Sequence, residues 1–168
     1  CPKCHKALAW YELVPVLSYV LQKGRCRGCR AKISPQYPLV ELLTGAVYAA
    51  LYMAIGVESS QAVFSLCIWL AAASLLIAAA VYDSRRMILP DRFMIPLIVL
   101  GIINVIVLNT VFDQSVLMPR LIAASAFALF FTTLWLVSSG KWLGDGDIRL
   151  AFAMGLLLSF EQLLVGIF

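Results

Sequence analysis

Asp83 heads the stretch Tyr82-Asp83-Ser84-Arg85-Arg86-Met87-Ile88-Leu89-Pro90-Asp91, and two further aspartates alternate with glycine in Gly144-Asp145-Gly146-Asp147. Two carboxylates a few ångströms apart cannot both ionise easily, so such a pair holds one proton and can act as base and acid around a single water. A dyad of this kind activates water to attack a peptide carbonyl and then protonates the leaving amine. Gly146 beside Asp147 permits torsions closed to other residues and close approach of a substrate strand. Both acidic stretches adjoin long apolar runs, where an ionisable side chain is costly and is therefore a functional candidate by default. Structural uses compete with this reading. Asp147 can serve as the N-cap of a helix running from Ile148, and Asp83 can end its helix beside Arg85 and Arg86. Asp91 follows Pro90 and reads as the cap of a helix beginning at Arg92 or Phe93, while Asp145 reads as exposed.

The second group of reactive residues is Cys1-Pro2-Lys3-Cys4 and Cys26-Arg27-Gly28-Cys29, two CxxC pairs with 21 residues between them. Each tight turn presents two thiolates, and four of them can close a tetrahedral zinc site. In a reducing cytoplasm a disulfide is the weaker reading, with free or redox-active thiols as the bland alternative. Cys1-Pro2-Lys3-Cys4-His5 also matches the short CxxCH haem-attachment pattern, but the second pair and the basic surroundings favour zinc and leave His5 a solvated neighbour. Cys67, within an apolar run, reads as a small filler.

The elements that must position these groups follow from composition. Hydrophobic residues make up 62% of the 168 and charged ones only 13%, whereas a soluble domain has about half and about a quarter. A bilayer core takes about 20 helical residues to cross. The spacing predicts spans near 39–56, 62–82, 93–109 and 121–138, then an apolar stretch at 148–168 that breaks near Ser159-Phe160-Glu161. The chain has no starting Met and stops inside an apolar run, which predicts a fragment of a longer protein; the first residues are polar and Cys-rich, unlike a cleavable signal.

Charge sets the orientation. Residues 1–38 hold seven basic residues against the single acid Glu12, the 83–92 loop has Arg85, Arg86 and Arg92, and 139–149 has Lys141 and Arg149. The alternate connections are poor in positive charge, so the three basic segments are expected on the cytoplasmic side. Two spans separate Asp83 from Asp147. An even number of crossings returns the chain to the same face, and the two acids are able to meet. The basic character of residues 1–38 is explained by topology and anionic lipid, which leaves no need for a nucleic-acid partner.

The motifs taken in order resemble the type IV prepilin peptidases, membrane aspartyl proteases of the GxGD class. The likeness rests on the Cys-rich stretch 1–34 with Pro15, Ser18-Tyr19 and Gly24-Arg25-Cys26, on Tyr37-Pro38-Leu39-Val40-Glu41-Leu42-Leu43-Thr44-Gly45, on Asp83 with Leu89-Pro90-Asp91, and on Gly144-Asp145-Gly146-Asp147. Four such motifs in order, with consistent sidedness, are specific where one alone is weak. The resemblance implies that Asp83 and Asp147 are catalytic and that prepilin or pseudopilin leaders are cut at the cytoplasmic face of the bacterial inner membrane. It also implies that the new N-terminus is methylated with S-adenosylmethionine, an activity associated with the domain holding Cys1, Cys4, Cys26 and Cys29. Gln36 stands where the family often has Arg, and Arg149 where it often has Lys. The family's first span and final helices have no counterpart here.

The expectation is therefore an all-α polytopic transmembrane helix bundle, with a cytoplasmic zinc-binding domain at 1–38 and a truncated peptidase domain at 39–168. Rival readings are a presenilin-like intramembrane protease, a proton-coupled transporter using the acid pair, and a scaffold whose zinc domain recruits a partner. The Cys-rich domain and Pro90-Asp91 oppose the first. A transporter would want its acids nearer the midplane and an inverted repeat.

Overall fold

The structure is a computed structural model and describes residues 4, 5 and 7–158. It is helical, with one isolated antiparallel bridge, Arg25 to Lys32, and no strand among the described residues. The chain divides into two compact units, residues 1–53 and 54–168.

The first unit contains a short 3₁₀ turn at Trp10–Glu12, helix α1 at Leu17–Leu21 and most of helix α2 at Gln36–Ile55. Little secondary structure holds residues 4–35 together, so specific hydrogen bonds do. The Ala9 N–H donates to Oε2 of the buried Glu12 at 3.0 Å, and the Val16 N–H donates to Glu41 Oε2 on α2 at 2.7 Å. Cys26 N–H to Ala31 O (2.9 Å) and Ile33 N–H to Gly24 O (2.8 Å) close a hairpin around the second CxxC turn.

The second unit is built from α3 (Ser60–Arg86), α4 (Asp91–Thr110), α5 (Leu117–Val137) and α6 (Asp145–Leu157). Together with α2, helices α3, α4 and α5 are long and apolar enough to cross a membrane, four among the described residues. They overlie the four spans expected from hydropathy, each extended by a few residues at one or both ends. The break expected near Ser159-Phe160-Glu161 lies outside the described residues.

Helix termini follow the local chemistry. Ser59 caps α3 by accepting from the Ala62 N–H at 3.1 Å. Arg85 and Arg86 occupy the last turn of α3, where cations oppose the helix dipole. Met87 then turns the chain in the left-handed region and donates its N–H to Asp83 O at 2.7 Å. Pro90 precedes α4 in extended conformation, which suits a residue with no N–H to give.

α6 is the buried centre of this unit. Leu156 and Leu157 are among its fully buried side chains, and Ala153, Leu157, Leu97, Ile68 and Ala72 form one cluster with α3 and α4. A second cluster joins Leu156 to Val105 and Ala124. Lipid is as apolar as leucine, so close packing of small residues drives helix association in a bilayer. Gly155 shows how close: a Cβ there would stand 2.3 Å from Ala124 Cα and 2.6 Å from its N, backbone atoms that cannot give way. Gly155→Ala is expected to force α5 from α6 and cost about 1–3 kcal/mol, read as a lowered midpoint of thermal unfolding in detergent. The same helix is fastened at its far end, where Arg120 Nη1 on α5 donates to Leu156 O at 3.2 Å and Leu157 O at 3.1 Å. A cation on the last carbonyls satisfies orphan acceptors and opposes the dipole.

Candidate functional site

In the second unit, the end of α3 and the starts of α4 and α6 surround a cavity of about 490 Å³. Asp83, Leu89, Pro90, Asp91, Asp145, Asp147 and Arg149 all line it. Asp83 lies in the last turn of α3, an unfavourable place for an anion because the carbonyl end of a helix is its negative pole. Tyr82 meets Phe93 of α4 edge to face, ring centroids 6.1 Å apart, which holds this turn against the start of α4.

Asp147 is placed differently from the capping role that the sequence left open. α6 begins at Asp145, three residues before Ile148, with Gly144 as its extended N-cap. Asp147 therefore stands inside the first turn, and its Oδ2 reaches back to accept the Gly144 N–H at 2.9 Å while its own N–H donates to Gly144 O at 3.1 Å. That exchange fixes the carboxylate against the backbone. The acid-rich start of α6 also suits the positive pole of the helix.

Two further acids are gathered by one guanidinium. Arg149 Nη2 donates to Asp145 Oδ2 at 2.6 Å, one helical turn away, and Nη1 pairs with Asp91 Oδ1 on α4. The cap of α4, expected at Asp91, is Pro90 instead; Asp91 is the first helical residue, turned toward Arg149. A planar guanidinium with donors on two nitrogens joins two carboxylates in a way a lysine ammonium does not. The sequence hinted at this only through the (i, i+4) spacing of Asp145 and Arg149. Asp145 is exposed, as expected, with its side chain 66% accessible.

Gly146 lets α6 approach Leu89 in the 87–90 loop. A Cβ there would sit 2.6 Å from Leu89 Cβ and 3.0 Å from Leu89 O. Glycine at this position therefore sets the width of the cavity between Asp147 and the Leu89-Pro90-Asp91 segment.

The first unit holds the thiols. The sulfurs of Cys4, Cys26 and Cys29 lie within 4.8 Å of one another, with Cys4 Sγ and Cys26 Sγ 3.9 Å apart. Four Zn–S bonds of about 2.3 Å in a regular tetrahedron give edges of about 3.8 Å, which the Cys4–Cys26 separation matches. Cys1, expected as the fourth ligand, lies outside the described residues. Both CxxC turns share a backbone feature: His5 after Cys4 and Arg30 after Cys29 have φ of 52° and 54°. Backbone N–H groups of Cys29 and Gly28 point at the buried Cys26 sulfur and lower its pKa to about 7. The Ala31 N–H favours the Cys29 thiolate, but burial and the neighbouring thiols outweigh it and push that thiol up. A cation among the three sulfurs would remove this conflict by taking them all as thiolates. His5 is exposed and no part of the cluster.

Comparison with known proteins also finds two parts in the chain. Residues 1–55 match the bacterial peptidase A24 N-terminal domain, and residues 70–168 match the type IV leader peptidase family. The prepilin leader peptidase/N-methyltransferase of Myxococcus xanthus (strain DK1622) is 35% identical over 164 residues, 98% of this chain and 48% of that protein. The protein of the same description from Klebsiella pneumoniae is 34% identical over 169 residues, covering 97% of this chain and 69% of that one. That from Neisseria gonorrhoeae is 32% identical over 173 residues, 100% and 57% of the two. The chain thus spans about half the length of most of the curated relatives it matches. No solved structure matches it.

Proposed function

The chain belongs to the type IV leader peptidase family, and from that premise we propose that it carries the aspartyl endopeptidase centre of a prepilin leader peptidase, with Asp83 and Asp147 as the catalytic pair. The observation that carries this reading is the cavity those two residues share with Leu89-Pro90-Asp91. Asp83 endures a helix-dipole penalty that a merely structural acid would avoid. The residues divide the work simply. One carboxylate takes a proton from a water held between the two as that water attacks the scissile carbonyl carbon. The other, protonated, gives its proton as the carbon–nitrogen bond breaks and the amine leaves. The Gly144 N–H holds Asp147 in one orientation, and Arg149 ties the start of α6 to the start of α4.

In this reading residues 39–168 form the peptidase domain of a multi-pass bacterial inner-membrane protein. The cavity faces the cytoplasm, and the substrate is a prepilin or pseudopilin whose own apolar helix lies in the bilayer. Residues 1–38 form the zinc domain, with Cys1, Cys4, Cys26 and Cys29 as ligands; three sulfurs within 4.8 Å of one another, one pair at 3.9 Å, support it. Bound there, zinc supplies a structural cross-link and no reaction step. The relatives' shared name supports a second activity, N-methylation of the new N-terminus with S-adenosylmethionine.

Leader cleavage of a purified prepilin by the full-length protein in detergent tests the peptidase reading; no cleavage by folded, zinc-loaded protein would overturn it. A sharper test is Gly146→Ala. The added methyl must push α6 away from Leu89, and displacement of about 1 Å at a reacting group costs about a hundredfold in rate. Cleavage is expected to fall by about that factor with helical content unchanged in circular dichroism.

A further inference from the structure

Helix α1 turns its apolar side outward. At about 100° per residue, positions 17, 20 and 21 share one face of a helix, and Leu17, Val20 and Leu21 are all exposed, the last two at 62% and 64%. The opposite face carries Ser18, Tyr19 and Gln22, which line a cavity with Tyr37 and Glu41 of α2. A surface helix of a water-soluble domain has the reverse arrangement, apolar stripe toward the core and polar side toward solvent. The 3₁₀ turn, which contacts α1, adds Trp10, 79% exposed. Four large apolar side chains left bare in so short a stretch mark an interaction surface.

Charge and height identify what covers it. Lys23, Arg25, Arg27, Arg30 and Lys32 follow α1 and are all exposed. The acids of the unit do not offset them at the surface, because Glu12 is buried and Glu41 is engaged by the Val16 N–H. A cationic surface of this kind attracts anionic headgroups and repels a second copy of itself. The height follows from the same bond, which ties the residue before α1 to Glu41 at 2.7 Å. Glu41 stands five positions past Gln36, about 7.5 Å along α2 at about 1.5 Å per residue. Hydropathy begins that span near residue 39, so α1 starts at the level where headgroups meet acyl chains. An interfacial helix buries its apolar face about 5–10 Å into that boundary, and tryptophan is enriched there.

We infer that Trp10, Leu17, Val20 and Leu21 dip into the bilayer that α2 crosses, with the exposed lysines and arginines of residues 23–32 on its anionic headgroups. The first unit thus docks on the membrane beside its own anchor. The inference rests on α2 crossing the bilayer and on the cytoplasmic placement of residues 1–38, and uses neither leader cleavage nor methyl transfer.

The test reads lipid contact directly. The full-length protein is placed in nanodiscs of phosphatidylglycerol and phosphatidylcholine that contain a phospholipid with a diazirine near its acyl carbonyl. After irradiation, trypsin cutting at Lys6 and Lys23 releases residues 7–23, which carry all four apolar side chains. This peptide is expected to take the label. Leu17→Gln combined with Leu21→Gln should lower its labelling about fivefold or more, with zinc content and leader cleavage unchanged. Both residues are exposed, so the local fold should survive. Replacing phosphatidylglycerol by phosphatidylcholine should lower wild-type labelling about threefold, and so should about 1 M salt, which shortens the screening length to about 3 Å. An unlabelled peptide 7–23 from protein that cleaves leaders would overturn the inference and leave the peptidase reading standing. So would labelling indifferent to the double substitution, or to lipid charge and salt. Crosslinks from residues 7–23 to residues beyond 54, or to a second copy, in place of lipid adducts would show that protein covers the face, and would overturn it equally.

Discussion

Asp83→Asn and Asp147→Asn, each made in the full-length protein, are expected to lower leader cleavage by about a thousandfold or more. An amide neither takes the proton from water nor returns it to the amine, and the remaining carboxylate cannot hold both roles. The amide is nearly isosteric with the carboxylate. In Asp147→Asn its oxygen can still accept the Gly144 N–H, so fold and membrane insertion should be unchanged. The comparison variants sit in the same cavity. Asp91→Asn and Asp145→Asn each break one exposed ion pair with Arg149, and such pairs contribute about 0.2–1 kcal/mol. Their cleavage should stay within about tenfold of wild type. Rates are measured on a synthetic prepilin by gel shift, with circular dichroism on each variant. Near wild-type cleavage by Asp83→Asn would end the dyad assignment, whatever the cavity geometry.

Removing the proposed zinc is expected to have the largest structural effect. Residues 4–35 contain one short helix, one 3₁₀ turn and one isolated bridge, and Cys26 is the one buried hydrophobic residue described among them. So small a core supplies little stability, and structural zinc in comparable small domains contributes about 10–16 kcal/mol of apparent binding free energy. Chelation, or Cys26→Ser, should therefore unfold residues 1–38 and release one zinc per chain by elemental analysis. Methylation, the activity proposed for that domain, should fail first. Cleavage should suffer less, because its acids stand on helices of the second unit, whose packing centres on α6. Purified protein that contains no zinc, together with a Cys26→Ser variant that methylates normally, would overturn this account.

Much of the architecture was legible in the sequence because the bilayer leaves few options. A lipid-embedded backbone must satisfy its hydrogen bonds internally, so an apolar run of sufficient length becomes a helix. Hydropathy located α2 to α5 for that reason. Two intervening helices then return the chain to the level of Asp83 before Gly144. The cysteine spacing announced a shared ligand set by the same kind of local logic, since CxxC is a turn whose geometry travels with it.

Helix boundaries and lateral contacts were less legible. The sequence started the last helix after Asp147, but acids and glycine in its first turn let it begin at Asp145, and a Pro90 cap displaced Asp91 from that duty. The sequence alone located the four long apolar helices among the described residues, and it grouped Asp83 with Asp147 and Cys4 with Cys26 and Cys29. Only the tertiary structure decided that Arg149 joins Asp91 to Asp145, that Leu89 presses on Gly146, that Arg120 closes the end of α6, and that Glu12, Lys32 and Glu41 line one cavity. The physical reason is rotational. In a membrane helix the faces toward lipid and toward protein are both apolar, so hydropathy sets length but leaves the angle about each axis to packing of small residues such as Gly155 on Ala124.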